Sequence, residues 1–88
     1  MLSIGYRNYV LCERVVAVIT PESRPVKSLI SRARENGKLI DATMGKKTKS
    51  VIITNSDHIV LSANTPETIA HRVRELKDKS LVNNTKAE

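Results

Sequence analysis

Three short apolar runs, each rich in β-branched residues, constrain the fold of this chain more than any other feature. They are VVAVI at 15–19, SVIIT at 50–54 and IVLSA at 59–63. Runs of this length are too short for typical helices and match buried β-strands. Pro21 ends the first run. The Asn-Ser-Asp turn at 55–57 joins the other two and predicts an antiparallel hairpin.

Residues 23–36 predict the first helix. Ser23 is placed to cap its N-terminus, and Pro25 falls in the first turn, where a missing N–H costs little. Gly37 follows as the residue expected to adopt the left-handed conformation that ends many helices. The apolar positions recur with the spacing of one helix face; they are Val26, Leu29, Ile30 and Ala33.

A second helix is predicted to begin at Thr65, which suits the N-cap. Pro66 fits the first helical position, and Glu67 lies at the positive end of the helix dipole. The apolar stripe of this helix is formed by Ile69, Val73 and Leu76. Periodicity is lost soon after this stripe. We therefore predict one domain over residues 1–78 and a disordered C-terminal tail over residues 79–88.

Two further regions complete the predicted sheet. Residues 2–11 form two short strand pieces around the Gly-Tyr-Arg-Asn segment at 5–8, and residues 39–43 form another short strand. With the two pieces of residues 2–11 counted as one strand, the order ββ-α-βββ-α predicts an α+β domain with two helices packed on a mostly antiparallel sheet. The core must be aliphatic because the chain has no Trp, no Phe and two Tyr. A chain of 88 residues has a thin margin of stability alone, and oligomerisation is one way to make up the deficit.

The chain is strongly basic, with a formal net charge of +6 and a pI near 9.8. Such a charge points to a polyanionic partner, which could be DNA, RNA or an anionic membrane face, although many small proteins are basic only for solubility. No apolar run approaches the roughly 20 residues needed to cross a bilayer, so we expect no membrane partner. Cys12 is the only cysteine, and this fits a reducing cytosol and predicts a cytoplasmic location.

The most informative polar stretch is GKKTK at residues 45–49. It places Lys46, Lys47 and Lys49 in a turn between two apolar strands, where ammonium groups can reach phosphates with little steric hindrance. Contacts of this kind hold a protein on duplex DNA without reading its sequence. The alternative interpretation is a solvated hairpin tip. A P-loop is excluded because no glycine lies five residues earlier and no Ser or Thr follows the first lysine.

Arg14 is the second candidate for a phosphate contact. It lies between Glu13 and the strand that begins at Val15, where a planar guanidinium could point outward and bind a phosphate. A salt bridge with Glu13 is the alternative, and the residues alone favour it. The cations of the first helix are spread around its surface like an ordinary solvated face, so they do not predict a recognition helix.

No constellation in the sequence predicts catalysis or a cofactor. Asp57 is expected to shape its turn, His58 to open the next strand, and His71 to lie on the second helix. No Ser or Cys nucleophile with supporting partners stands out, and two isolated histidines do not make a metal site. We therefore expect no enzymatic activity, no catalytic residue, no metal, no cofactor and no small-molecule substrate.

Aromatic side chains are scarce, with Tyr6 and Tyr9 the only ones in the sequence. Proteins that bind single strands usually stack bases on aromatic rings. The composition therefore favours duplex DNA over single-stranded RNA. An RNA-binding module, or an assembly and interaction module whose charge serves solubility, remains open at this level.

Several short blocks, in this order and with this spacing, resemble the RemA family of extracellular-matrix regulatory proteins, and the likeness runs from about residue 3 to residue 73. The blocks are Ile4-Gly5-Tyr6 with Asn8, Arg14 with Val15 and Val16, Pro21-Glu22-Ser23 with Pro25, Gly37 with 39–43, Gly45-Lys46-Lys47-Thr48, Ser56-Asp57-His58, Leu61-Ser62-Ala63 and Pro66-Glu67-Thr68. No single block is specific, whereas the ordered set is.

The resemblance implies more than the residues show by themselves. RemA-like proteins are bacterial transcriptional regulators that activate biofilm-matrix and osmoprotection genes, bind DNA around closed homo-oligomeric rings that are expected to be seven-fold, and have a fold like that of LytTR-type DNA-binding domains. The family's DNA-binding positions fall here on Arg14, Lys46 and Lys47, and we expect Lys49 to add to the same patch. The resemblance thus reverses the preference for a salt bridge at Arg14. The pair at 46 and 47 is often arginine in the family, and lysine keeps the charge but lacks the bidentate fork.

Overall fold

The computed structural model describes the backbone of residues 1–87 and the side chains of residues 1–76. It contains six strands, two helices and one 3₁₀ turn. The strands are β1 (Leu2–Gly5), β2 (Asn8–Val10), β3 (Val15–Ile19), β4 (Leu39–Asp41), β5 (Ser50–Thr54) and β6 (Ile59–Ser62), the 3₁₀ turn is Cys12–Arg14, and the helices are α1 (Arg24–Glu35) and α2 (Pro66–Ala87). The predicted tail, residues 79–88, lies outside the residues whose side chains are described, so its disorder stays a prediction.

The strands form a four-stranded sheet in the order β3-β5-β6-β4 and a separate hairpin of β1 and β2. The predicted α+β class is confirmed, and so is the antiparallel hairpin of β5 and β6. One pairing departs from the antiparallel pattern: β4 runs parallel to β6, with Ile40 opposite Val60. The sheet is therefore mixed, and β6 separates β4 from the strand that follows it in the chain.

Successive side chains of a strand point to opposite faces of the sheet. Each face of the four-stranded sheet is covered by its own apolar cluster. On one face, Val51, Ile59 and Leu61 pack with Ala33 and the apolar side of α1. On the other face, Ile52 and Val60 pack with β1, β2 and α2; the buried members of that cluster are Leu2, Ile4, Ala42, Ile52, Val60 and Ile69.

Both ends of α1 are formed by the capping residues that the sequence predicts, Ser23 and Gly37. Ser23 has extended backbone angles, and its Oγ accepts a hydrogen bond from the N–H of Val26 at 3.4 Å. At the other end Gly37 has a φ of +69°, and the N–H of Lys38 donates to the carbonyl of Ala33 at 2.8 Å. This is the pattern of a Schellman ending, in which a left-handed residue lets the chain leave the helix with its last carbonyls satisfied. Both predicted caps are confirmed.

Buried and half-buried polar contacts fasten the β1–β2 hairpin to the sheet and to α2. The Oγ of Ser62 donates to the carbonyl of Ile4 at 2.7 Å. The guanidinium of Arg72, on α2, donates to the carbonyl of Ser3 at 2.9 Å and to Oδ1 of Asn64 at 2.8 Å. Arg72 therefore acts as a structural link between β1, the β6–α2 connection and α2.

Candidate nucleic-acid interface

The basic turn, residues 42–49, connects β4 to β5. It is not a hairpin tip, because β4 pairs with β6 rather than with β5. The connection instead crosses the end of β6, where the N–H of Ala42 donates to the carbonyl of Leu61 at 2.9 Å and the N–H of Lys49 donates to the carbonyl of Ser62 at 2.9 Å. Both ends of the basic turn are thus fixed to the same strand.

The chain reverses direction within this turn through local hydrogen bonds. Oδ1 of Asp41 accepts from the hydroxyl of Thr43 at 2.6 Å and from its N–H at 2.9 Å. Met44 and Gly45 both have positive φ, at +54° and +77°, and the N–H of Lys46 donates to the carbonyl of Thr43 at 3.0 Å. Two consecutive left-handed residues inside such a bond define a type I′ turn.

The same contacts perturb the acidity of Asp41. The hydrogen bond from the Thr43 hydroxyl, then that from the Thr43 N–H, lowers the pKa of the Asp41 carboxyl from its ordinary value of 3.8, and the charge of Arg34 lowers it further against the opposing effect of desolvation. Hydrogen bonds to the ionised form favour that form. The carboxylate is therefore ionised at neutral pH and holds the first half of the turn in place.

The three predicted lysines, Lys46, Lys47 and Lys49, are all exposed on this anchored turn. Among the side chains that the structure describes, none of the three has an acidic partner within ion-pair distance. A fixed backbone that carries free ammonium groups lowers the ordering cost of binding an anion, because only the side chains must become ordered.

Arg14 ends the 3₁₀ turn that precedes β3. Its N–H donates to the carbonyl of Leu11 at 3.0 Å, and its own carbonyl accepts from the N–H of Asn55 at 2.8 Å. The side chain is exposed, and within the described part of the chain it forms no salt bridge with Glu13 or any other acid. The guanidinium is therefore left for an external partner.

The structure does not bring Arg14 and the lysines together within one chain. Lys49 immediately precedes β5, whereas Arg14 is bonded to Asn55 just beyond the other end of that strand. Positions 49 and 55 are six residue steps apart, which is about 20 Å of extended backbone at about 3.3 Å a residue. One subunit thus carries two separate basic points, at opposite ends of the central strand β5.

Arg14 also lines a cleft of about 480 Å³ between β2, β4 and the β5–β6 turn. Ser56 and His58 line the same cleft as Arg14, whereas the sequence predicts Ser56 only as a turn residue and His58 only as the start of a strand. The signal for them in the sequence was the Ser-x-His spacing directly before the strand IVLSA. This spacing does not predict a common site with Arg14, because Arg14 is more than forty residues away in the chain.

Among the described side chains, no group of three or more histidine, cysteine, aspartate or glutamate residues is arranged to hold a metal ion. In the same part of the chain, neither helix combines the length and the apolar character that a bilayer crossing requires.

The fold and its exposed cations define a small basic α+β protein, and comparison with known proteins gives its class. The chain is 54% identical over 81 residues, 92% of its length and 84% of the relative's, to a Symbiobacterium thermophilum protein named "Putative regulatory protein STH1338". It is 51% identical over 83 residues, 94% of its length and 92% of the relative's, to a Crocosphaera subtropica protein named "Putative regulatory protein". Both relatives thus carry the name "Putative regulatory protein".

The sequence model of one family, Extracellular matrix regulatory protein A-like, matches residues 1–73. The chain therefore belongs to the RemA-like family. The match includes Arg14 and the whole basic turn, and it ends within α2.

Proposed function

We propose that this protein is a DNA-binding transcriptional regulator that contacts the phosphates of duplex DNA through Arg14, Lys46, Lys47 and Lys49. The observation that carries the proposal is the anchored basic turn, which holds three exposed lysines on a backbone fixed at both ends to β6. Membership of a family of regulatory proteins and the net charge of +6 support the same conclusion.

The spacing of the two basic points fits a duplex. B-DNA carries one negative charge for about every 1.7 Å of its axis, so a span of about 20 Å passes several phosphates on both strands. The lysine turn and Arg14 would then contact separate phosphates of one duplex. Lysine acts as a point charge, whereas the fork of Arg14 can bind two phosphate oxygens at once.

A closed homo-oligomeric ring completes the proposal, and family resemblance makes seven subunits the expected number. One subunit offers few phosphate contacts, and repetition around a ring multiplies them without new chemistry. Two exposed apolar side chains support self-association, since Val16 is 66% exposed on the edge strand β3 and Met44 is 70% exposed on the basic turn. Native mass spectrometry over a range of protein concentrations would give the subunit number directly.

The regulated genes are proposed by family resemblance alone. They are the genes for biofilm matrix and for osmoprotection, activated by a cytoplasmic protein associated with the nucleoid. A strain in which the chromosomal copy carries the Lys46→Ala, Lys47→Ala double change should lose transcription of these genes while the protein remains at its normal level.

Binding to nucleic acid is tested by fluorescence anisotropy with a long duplex and with single-stranded RNA of the same length, at equal salt. The proposal predicts tighter binding to the duplex and a large loss of affinity in the Lys46→Ala, Lys47→Ala variant. A matched control removes the same charge elsewhere, through Lys27→Ala with Lys38→Ala, both exposed positions. Preference for RNA, or equal losses in the two variants, would contradict a duplex contact at the basic turn.

A further inference from the structure

The cleft beside Arg14 is lined by side chains of two chemical kinds. Tyr9, Leu11 and Ile40 supply apolar surface, and the exposed fractions of the Tyr9 and Ile40 side chains are 57% and 49%. Arg14, Thr54, Ser56 and His58 supply polar groups to the same cleft. A hollow with both an apolar and a hydrogen-bonding lining suits a ligand that is itself part apolar and part polar.

Hydrogen bonds fix the orientation of the His58 ring. Its Nδ1 lies 2.8 Å from the hydroxyl of Ser56, and that hydroxyl lies 3.0 Å from the hydroxyl of Thr54. The Thr54 hydroxyl also accepts from the N–H of His58 at 3.1 Å. Since Nδ1 is occupied by Ser56, Nε2 is the ring nitrogen that remains for a ligand, and the described residues supply no partner for it.

The role of Nε2 depends on the tautomer of the ring. If Ser56 donates to Nδ1, the neutral ring carries its proton on Nε2 and offers an N–H to the cleft; if Nδ1 donates to Ser56, Nε2 of the neutral ring is an acceptor. An anion in the cleft favours the first arrangement, because an anionic oxygen accepts hydrogen bonds and cannot donate them.

The charges around the cleft favour an anion. Arg14 supplies a permanent positive charge, and no aspartate or glutamate is among the described residues that line the cleft. Asp57, which stands between Ser56 and His58 in sequence, lines a different hollow with Arg32 and Lys38. Asp57 has a φ of +65°, a left-handed conformation that aspartate tolerates in turns.

We propose that Arg14, Ser56 and His58 form a phosphate subsite, and that it binds one backbone phosphate of duplex DNA with the attached deoxyribose against Tyr9 and Ile40. The inference rests on the proposed function, to which it adds His58 as a phosphate ligand, Ser56 as the residue that orients the His58 ring, and the apolar lining as the surface for the sugar. Arg14 binds the phosphate by charge and by its planar fork, and His58 donates from Nε2.

The subsite is tested directly by NMR on the unmodified protein with labelled histidine. The chain contains two histidines, and His71 provides an internal reference because it is exposed on α2 and paired with Glu75 at 3.0 Å. Addition of a short duplex should shift the ring signals of His58 and leave those of His71 in place. Equal shifts, or no shift at His58 while the duplex is bound, would overturn the subsite and leave the proposed DNA binding intact.

Separate arms of the titration distinguish the source of the phosphate. Inorganic phosphate and deoxyadenosine monophosphate are added in place of DNA. If the protein does not bind the duplex but either compound shifts His58, the phosphate subsite stands and DNA as its ligand is overturned. If neither DNA nor these compounds shift His58, the subsite itself is overturned.

Matched substitutions give an independent measurement. His58→Asn removes Nε2 and should weaken duplex binding by roughly three- to tenfold, the effect of losing one hydrogen bond at a partly exposed site. Ser56→Ala removes the bond that orients the His58 ring and should also weaken duplex binding. His71→Asn removes the other histidine and should leave the affinity unchanged. Thermal melting of all three variants separates loss of contact from loss of fold, and Ser56→Ala provides the test if His58→Asn is unstable. Wild-type affinity in two folded cleft variants would overturn the proposal.

Discussion

The backbone carbonyl of Arg14 accepts a hydrogen bond from the backbone N–H of Asn55 at 2.8 Å. This bond extends the antiparallel pairing of β3 with β5 by one step and joins the 3₁₀ turn to the β5–β6 turn. It is the reason that a guanidinium near the start of the chain lies in the same cleft as His58. The position of Arg14 is therefore set by its backbone, and its side chain is free for binding.

Replacement of Arg14 should impair DNA binding without impairing the fold. Arg14→Ala removes a charge and a bidentate donor, whereas Arg14→Lys keeps the charge alone, so the affinities should rank as arginine, lysine and alanine in descending order. The free energy of unfolding should change by less than about 0.5 kcal/mol, because the side chain is exposed. Anisotropy titrations and urea unfolding measure the two quantities. An alanine variant that dissociates or unfolds would show that Arg14 is structural.

Ser62→Ala should destabilise the domain. The Ser62 hydroxyl is fully buried and donates to the carbonyl of Ile4 at 2.7 Å, so the substitution leaves a buried acceptor without that donor. We expect a loss of about 1–3 kcal/mol in the free energy of unfolding. Ser28→Ala, on the exposed side of α1, is the matched control and should change it by less than about 0.5 kcal/mol. Both are measured by urea unfolding at one fixed subunit concentration, and equal effects would contradict the structure.

Two glycines with positive φ should differ in their tolerance of alanine. Gly5 has a φ of +104°, and an added Cβ would lie 3.0 Å from Oδ1 of Asn64, the atom that accepts from Arg72. Gly37 has a φ of +69° and nothing within 4 Å of an added Cβ. Gly37→Ala should cost about 1 kcal/mol from backbone strain alone, and Gly5→Ala about 3 kcal/mol from strain and crowding together. The order of the two unfolding free energies checks the prediction, and a reversed order would contradict it.

Asp41 should contribute a pH-dependent part of the stability. Hydrogen bonds from Thr43 lower the pKa of its carboxyl in the folded protein below 3.8, so the contribution is complete above the unfolded-state pKa and is lost as the pH falls through the folded-state pKa. Asp41→Asn keeps an acceptor oxygen but cannot ionise. Urea unfolding from near-neutral pH down to about pH 2 should therefore show a wild-type advantage that shrinks in the acid range. An advantage that is constant with pH would contradict this account of the turn.

The local features of the fold were predictable because they depend on neighbouring residues. Ser23 and Gly37 mark the ends of α1, and Thr65 caps α2, with its hydroxyl accepting from the N–H of Thr68 at 3.2 Å. The β5–β6 hairpin follows from two apolar runs around the turn at 55–57. In each case a few adjacent side chains decide the conformation.

The long-range arrangement was not predictable from the same signals. The strand β4 has three residues, and nothing in its sequence distinguishes parallel pairing with β6 from a hairpin with β5. The cleft that contains Arg14 and His58 depends in turn on the pairing of β3 with β5 and on the bulge between Val15 and Ala17. The exposed lysines could be predicted from their own segment, whereas their distance from Arg14 could not.

The salt dependence of duplex binding tests the central claim most directly. The slope of the logarithm of the binding constant against the logarithm of the salt concentration should be steep for the wild type and shallower for the Lys46→Ala, Lys47→Ala variant, by at least about 1.8, because each lost phosphate contact removes about 0.9. The Lys27→Ala, Lys38→Ala control should keep the wild-type slope. Identical slopes in all three proteins would show that the basic turn does not contact the phosphates of DNA.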